Sequence, residues 1–283
     1  MKRLSILRPV DQLFLIYFTS IILLSFFQIA GFLFHTGYSV GLVVLIFLLR
    51  SANRFFDHRA WSFMYLFYPI FFFIWLYPQA CALRHSFITA DFDPRLLSLE
   101  KSLFALEWYR VIPAVFPMWA MEIVHGIYFS YYITLAVFAI IAWARHHRLV
   151  SEYIFVLSFT MILHQWMLIL FPASGPVHLR SATMPEGVLF IPAMNWIYST
   201  LDQGGGAFPS LHVAAAFVMT RYSIRFFPKK QLVLILYFIL IAFSTIAGSY
   251  HYAIDIVAGV ITGWISLQIG AYIYSYLTRH EET

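Results

Sequence analysis

Two short segments hold the residues best suited to chemistry. The first is Gly204-Gly-Gly-Ala-Phe-Pro-Ser-Leu-His212 and the second is His251-Tyr-Ala-Ile-Asp255. Three glycines allow close backbone approach and positive φ, Pro209 suits the first turn of a helix, and a helix starting there presents unpaired N–H groups to an anion. In the second segment an imidazole and a carboxylate sit at i, i+4 on one helical face. A carboxylate that bonds one ring nitrogen leaves the other as a lone-pair nucleophile. A phosphoryl group held between two imidazoles is attacked by one and has its leaving oxygen protonated by the other.

The elements that must position these residues belong to a membrane. The chain has 283 residues, of which 61% are hydrophobic, 20% aromatic and only 11% charged, far from the roughly 25% charged residues of soluble domains. The net charge of +5 does not point to nucleic acid, because the basic residues are scattered between apolar runs instead of gathered on one polar segment. The single cysteine, Cys81, lies in an apolar run and reads as a small apolar residue. The first apolar run is too long for a signal-peptide core and lacks a small-residue cleavage site, so it is expected to remain as a span.

Apolar runs of roughly spanning length fall at about 13–34, 38–50, 61–83, 119–144, 152–171, 209–227, 232–249 and 254–277. The reading is all-α: a polytopic bundle of about eight spans forming a single membrane domain over 1–283, with a catalytic core at about 119–277 and an N-terminal helical extension at about 1–118. The second run is short, yet the positive-inside rule supports it. With both termini cytoplasmic, Lys2, Arg3, Arg8, Arg50, Arg54, Arg59, Arg145, Arg148, Arg221, Arg225, Lys229, Lys230 and Arg279 all fall at or near that side. The two motif histidines then share the extracytoplasmic or lumenal face. Residues 93–108 carry apolar side chains at helical spacing with mixed charges, as an amphipathic helix on the membrane surface does. The loop at 172–208 has turn chemistry throughout.

Phe-Pro-Ser-Leu-His212, followed by His251-x-x-x-Asp255 with Gly259 beyond, resembles the second and third signature motifs of the type 2 phosphatidic acid phosphatase superfamily, and more narrowly its inositol phosphorylceramide synthase-like branch. The resemblance is close over about 170–260. It implies a membrane helix bundle that transfers phosphoryl groups through a phosphohistidine with no metal or other cofactor. It makes His251 the nucleophile, Asp255 its orienting partner, His212 the leaving-group acid and Ser210 a phosphate ligand. The chain departs from the family pattern in three places: Ser244-Thr245 replaces the usual Ser-Arg, Leu211 replaces a glycine, and the first motif is not intact. Arg180, with help from His178, is therefore the expected phosphate clamp, since a dianion in a low-dielectric site needs positive charge.

Further polar residues lie inside the spans. Glu122 is expected near a hydroxylated substrate, whereas His125 and His164 read more simply as ties between helices. Arg145-His-His-Arg148 reads as a cytoplasmic loop. Arg221 lies half a helical revolution away from His212 and well below it, too far to serve the phosphate. The function expected is transfer of a phosphoryl headgroup from a membrane-lipid donor to a hydroxyl acceptor. A phosphatase acting on a lipid phosphate or polyprenyl diphosphate is the alternative, and a non-enzymatic protein that binds or transports anionic lipid is a third reading.

Overall fold

The computed structural model describes residues 7–26, 32–56, 58–145, 147–180, 184–200 and 205–279. Gly204 of the glycine run, and the Lys2 and Arg3 topology signals, lie outside the described residues. The helices run α1 (Pro9–Ser25), α2 (Phe32–Phe55), α3 (Arg59–Leu83), α4 (Asp93–Phe104), α5 (Trp108–Val115), α6 (Met118–Arg145), α7 (His147–Leu170), α8 (Phe190–Thr200), α9 (Leu211–Phe226), α10 (Gln231–Ala247) and α11 (Ala253–Arg279). Among the described residues there is no sheet; one isolated parallel bridge joins Ala173 to Gly206.

Six stretches, in α2, α3, α6, α7, α10 and α11, are long and apolar enough to cross a bilayer. The chain is an integral membrane helix bundle. α1 is apolar but has 17 residues, and α9 has 16 and is largely buried among its neighbours. The first apolar run does not form one helix over 13–34. α1 stops at Ser25 and Phe32 already belongs to α2, so the short run at 38–50 is the middle of a 24-residue helix. Both sides of the break are apolar, and hydropathy carries no signal for a helix end that no charge or proline marks.

α9 packs against α6, α7, α10 and α11. Val213, Ala214, Ala215 and Ala216 on it are buried, and their small size lets α11 come close. Gly259 and Gly263, spaced i, i+4 on α11, complete the crossing. A Cβ on Gly259 would stand 2.7 Å from the Ser210 carbonyl oxygen, and one on Gly263 would stand 2.9 Å from that of Ala214. Small residues at such spacing are how membrane helices bring backbones together. At the top of the crossing the Ser210 N–H donates to the Asp255 carbonyl at 3.1 Å, so packing of α9 on α11 sets the distance between the two motifs.

The amphipathic segment breaks into two helices at Ala105, whose φ is 56°. Leu99, Leu103, Leu106 and Trp108 are exposed along it, as befits a helix lying at a lipid interface. Its other face holds the site loops. The buried Glu100 carboxylate accepts the N–H groups of Ala253 and Ile254 at 3.0 and 2.9 Å, capping α11 with negative charge where the macrodipole favours it. Asp93 accepts the N–H groups of Ser174 and Gly175, both at 2.7 Å.

Candidate active site

His251 lies in the turn between α10 and α11. The N–H groups of Tyr250 and His251 both donate to the Thr245 carbonyl, at 3.0 and 3.1 Å, which folds the turn back over the end of α10 and buries the imidazole. Its Nδ1 faces two acceptors, the Ala207 carbonyl at 2.9 Å and Asp255 Oδ2 at 3.3 Å. Nδ1 therefore carries the proton and Nε2 the lone pair. Asp255 is itself held, since its Oδ2 accepts the Tyr252 N–H at 2.9 Å. The lone pair at Nε2 points to Ser210 Oγ, 3.2 Å away.

Ser210 is the N-cap of α9, its hydroxyl accepting the Val213 N–H at 3.4 Å. Pro209 thus sits outside the helix, after a cis Phe208–Pro209 bond, instead of in its first turn. The reason is local: serine caps a helix better than proline continues into one. Upstream, the Ala173 N–H donates to the Gly205 carbonyl at 3.1 Å and the Ala207 N–H to the Ala173 carbonyl at 2.8 Å. This pairing fixes the Ala207 carbonyl that receives His251. Gly205 has φ +99°, and a Cβ there would meet Arg84 Cδ at 2.7 Å, so only glycine serves.

His212 projects from the first turn of α9 into a cluster of tyrosines. Its ring lies 4.8, 5.0 and 5.8 Å from those of Tyr128, Tyr131 and Tyr132. The Tyr128 and Tyr132 hydroxyls approach its Nε2 at 2.9 and 3.2 Å, and Tyr128 also shares a hydrogen bond with Tyr198 at 2.6 Å. The His212 and His251 rings stand 5.9 Å apart between centroids.

Arg180 is buried behind this cluster. It donates to the Gly248 carbonyl, to Asn195 Oδ1 at 2.8 Å and to His125 Nε2 at 3.3 Å. Its guanidinium lies 4.0 Å from the centre of the Tyr250 ring, a cation–π distance. Tyr250 in turn stacks on Tyr128 at 4.0 Å with planes 13° apart. Burial pushes the Tyr250 hydroxyl up against the opposing pull of Arg180, so it stays protonated. The expected clamp thus braces the turn that carries His251.

The other polar residues singled out in the sequence bond within the bundle. Glu122 accepts the N–H groups of Val188, Leu189 and Phe190, the work of a helix cap on α8. His178 Nδ1 bonds the Gly175 carbonyl at 3.1 Å inside its own turn. His164 bridges the Thr160 carbonyl at 2.8 Å and Thr262 Oγ1 at 3.1 Å, tying α7 to α11. The sequence reading passed over the tyrosines, Asn195 and Arg84. The i, i+3, i+4 spacing of Tyr128, Tyr131 and Tyr132 was the available signal for one of these groups. Nothing local in the sequence marks Arg84 as a neighbour of the glycine run.

A buried imidazole with an oriented lone pair, a serine hydroxyl and helix N-terminus beside it, and a second imidazole facing it form a site suited to an anionic tetrahedral group. A family model described as the PAP2 superfamily matches residues 94–269. The chain belongs to the PAP2 superfamily. Members of the PAP2 superfamily are generally phosphatases or phosphotransferases. The matched stretch takes in α4 through most of α11 and includes Arg180, Ser210, His212, His251 and Asp255. No curated protein matches the chain, and no solved structure does. The PAP2 match does not select the inositol phosphorylceramide synthase-like branch.

Proposed function

We propose that this PAP2 protein moves a phosphorylated headgroup from a membrane-lipid donor to a hydroxyl acceptor, on the extracytoplasmic or lumenal face. The observation that carries this reading is the hydrogen-bond frame of His251: Nδ1 held by the Ala207 carbonyl and Asp255, Nε2 directed at Ser210. His251 Nε2 attacks phosphorus, and the bond from phosphorus to the donor oxygen breaks. His212 gives its proton to that oxygen, and the donor leaves as an alcohol. His212, now neutral, takes the proton of the acceptor hydroxyl, whose oxygen attacks phosphorus and breaks the N–P bond. Ser210 and the first turn of α9 hold the phosphoryl oxygens. Arg180 braces the 248–251 turn through the Gly248 carbonyl and the Tyr250 ring.

The aromatic enclosure of His212 favours an alcohol over water as acceptor. Tyr128 and Tyr131 are buried against the acid and the exposed Tyr132 offers an amphipathic ring beside it, a setting that suits a lipid or polyol hydroxyl better than a hydration shell. The test is to incubate purified protein with labelled phospholipid, with and without hydroxylated lipids. Headgroup transfer that depends on the acceptor supports the proposal. Phosphate release at one rate regardless of acceptor makes the protein a phosphatase.

A further inference from the structure

A second polar feature lies at the far end of the same two helices. Arg221 and Arg225 follow His212 on α9 by about 14 and 20 Å of helical rise. With Tyr222, and with Leu267, Gln268 and Ala271 of α11, they line a groove of about 190 Å³. The charges in it are unequal. Arg225 pairs with Glu152 at 3.1 Å, and the Tyr222 hydroxyl donates to the same oxygen at 2.9 Å. Arg221 is exposed and has no ion-pair partner among the described residues.

Gln268 is equally out of place. It belongs to a stripe on α11 with Ile261, Trp264 and Tyr272, which are 52%, 55% and 70% exposed, as a lipid-facing surface is in a bundle. At the cytoplasmic headgroup level, where the positive-inside rule puts Arg221, a cation and an amide beside an apolar stripe offer donors to a lipid phosphate. An inorganic anion would answer Arg221 but would leave the apolar and aromatic stripe uncovered.

We propose that the groove between α9 and α11 is a binding site for one anionic phospholipid, its phosphate held by Arg221 and the Gln268 amide and its acyl chains lying along Ile261 and Trp264. A single unmatched arginine fits the single negative charge of a phosphodiester. Lys229 and Lys230, in the turn just after α9, oppose a headgroup that carries its own cation, so an anionic lipid is favoured over a zwitterionic one.

The test is native mass spectrometry of the purified full-length protein in detergent, with phosphatidylglycerol, phosphatidylcholine of the same acyl chains, or inorganic phosphate. Wild type is expected to retain phosphatidylglycerol over phosphatidylcholine by roughly tenfold, the effect of about 1.4 kcal/mol. Arg221→Gln loses that preference, Arg221→Lys keeps most of it, and His251→Ala leaves it intact. Equal retention of both lipids by wild type, full retention by Arg221→Gln, or displacement by inorganic phosphate each overturns the proposal. Loss in His251→Ala also overturns it, because the lipid would then belong to the histidine pair.

Discussion

The ring of His212 stands 5.9 Å from that of His251, with the two planes at 66°. That edge-to-face approach brings the two imidazoles into one site and is held by backbone contact: the Ser210 N–H on the Asp255 carbonyl joins the residue two before one histidine to the residue four after the other. The following expectations rest on this geometry.

Asp255→Asn keeps the size of the side chain but weakens its hold on His251 Nδ1. The imidazole keeps the Ala207 carbonyl on Nδ1 but loses the carboxylate that steadies the positive charge it develops on attack, and turnover is expected to fall by roughly 10²–10⁴-fold with the protein still folded. Steady-state kinetics beside a thermal unfolding scan check this. Activity within a factor of a few of wild type would show that Asp255 does not orient the nucleophile.

Tyr128→Phe removes the hydroxyl that approaches His212 and bonds Tyr198, yet keeps the ring stacked on Tyr250. The expected result is a fall in kcat of roughly tenfold with little change in KM, the mark of an interaction made more strongly in the transition state. An equal change in both parameters, or none, would mean that the hydroxyl only packs the cluster.

Gly259→Ala pushes a methyl against the Ser210 carbonyl. Because backbone stands on both sides, α9 and α11 must part, at a cost of about 1–3 kcal/mol. Activity is expected to fall more than stability, since the separation of the motifs changes directly. Unchanged kinetics at a lowered Tm would detach the helix crossing from the chemistry.

Glu100→Gln tests the link between the surface helix α4 and the site. Both carboxylate oxygens cap α11, and the charge lies at a helix N-terminus, so stability is expected to drop by about 1–2 kcal/mol. Thermal unfolding in detergent reads this out. An unchanged Tm would remove Glu100 from the frame.

The parts of the site legible in sequence were those set by short-range spacing. His251 and Asp255 share a helical face by number alone, and Ser210 before Leu211 is a cap by residue type. The membrane character follows from composition, whereas the break between α1 and α2 falls in a largely apolar stretch that only Ser25, Gln28 and Gly31 interrupt. Arg180 reads in sequence as the phosphate clamp, while its bonds to Gly248 and Asn195 and its contact with Tyr250 depend on segments brought together only by folding. The same holds for Glu100 and for Arg84, whose partners lie far along the chain. Glu122 shows the converse: a carboxylate within a span reads as functional by cost, yet here three backbone N–H groups of α8 satisfy it.

The central claim is that His251 carries the phosphoryl group. The most direct measurement is a rapid quench of purified protein with labelled donor lipid, followed by mapping of the modified peptide. The account predicts an acid-labile, base-stable phosphate adduct on His251, absent in His251→Ala and accumulating in His212→Ala supplied with a donor whose leaving group needs no protonation. An adduct on any other residue, or turnover of the donor by His251→Ala at the wild-type rate, would contradict it.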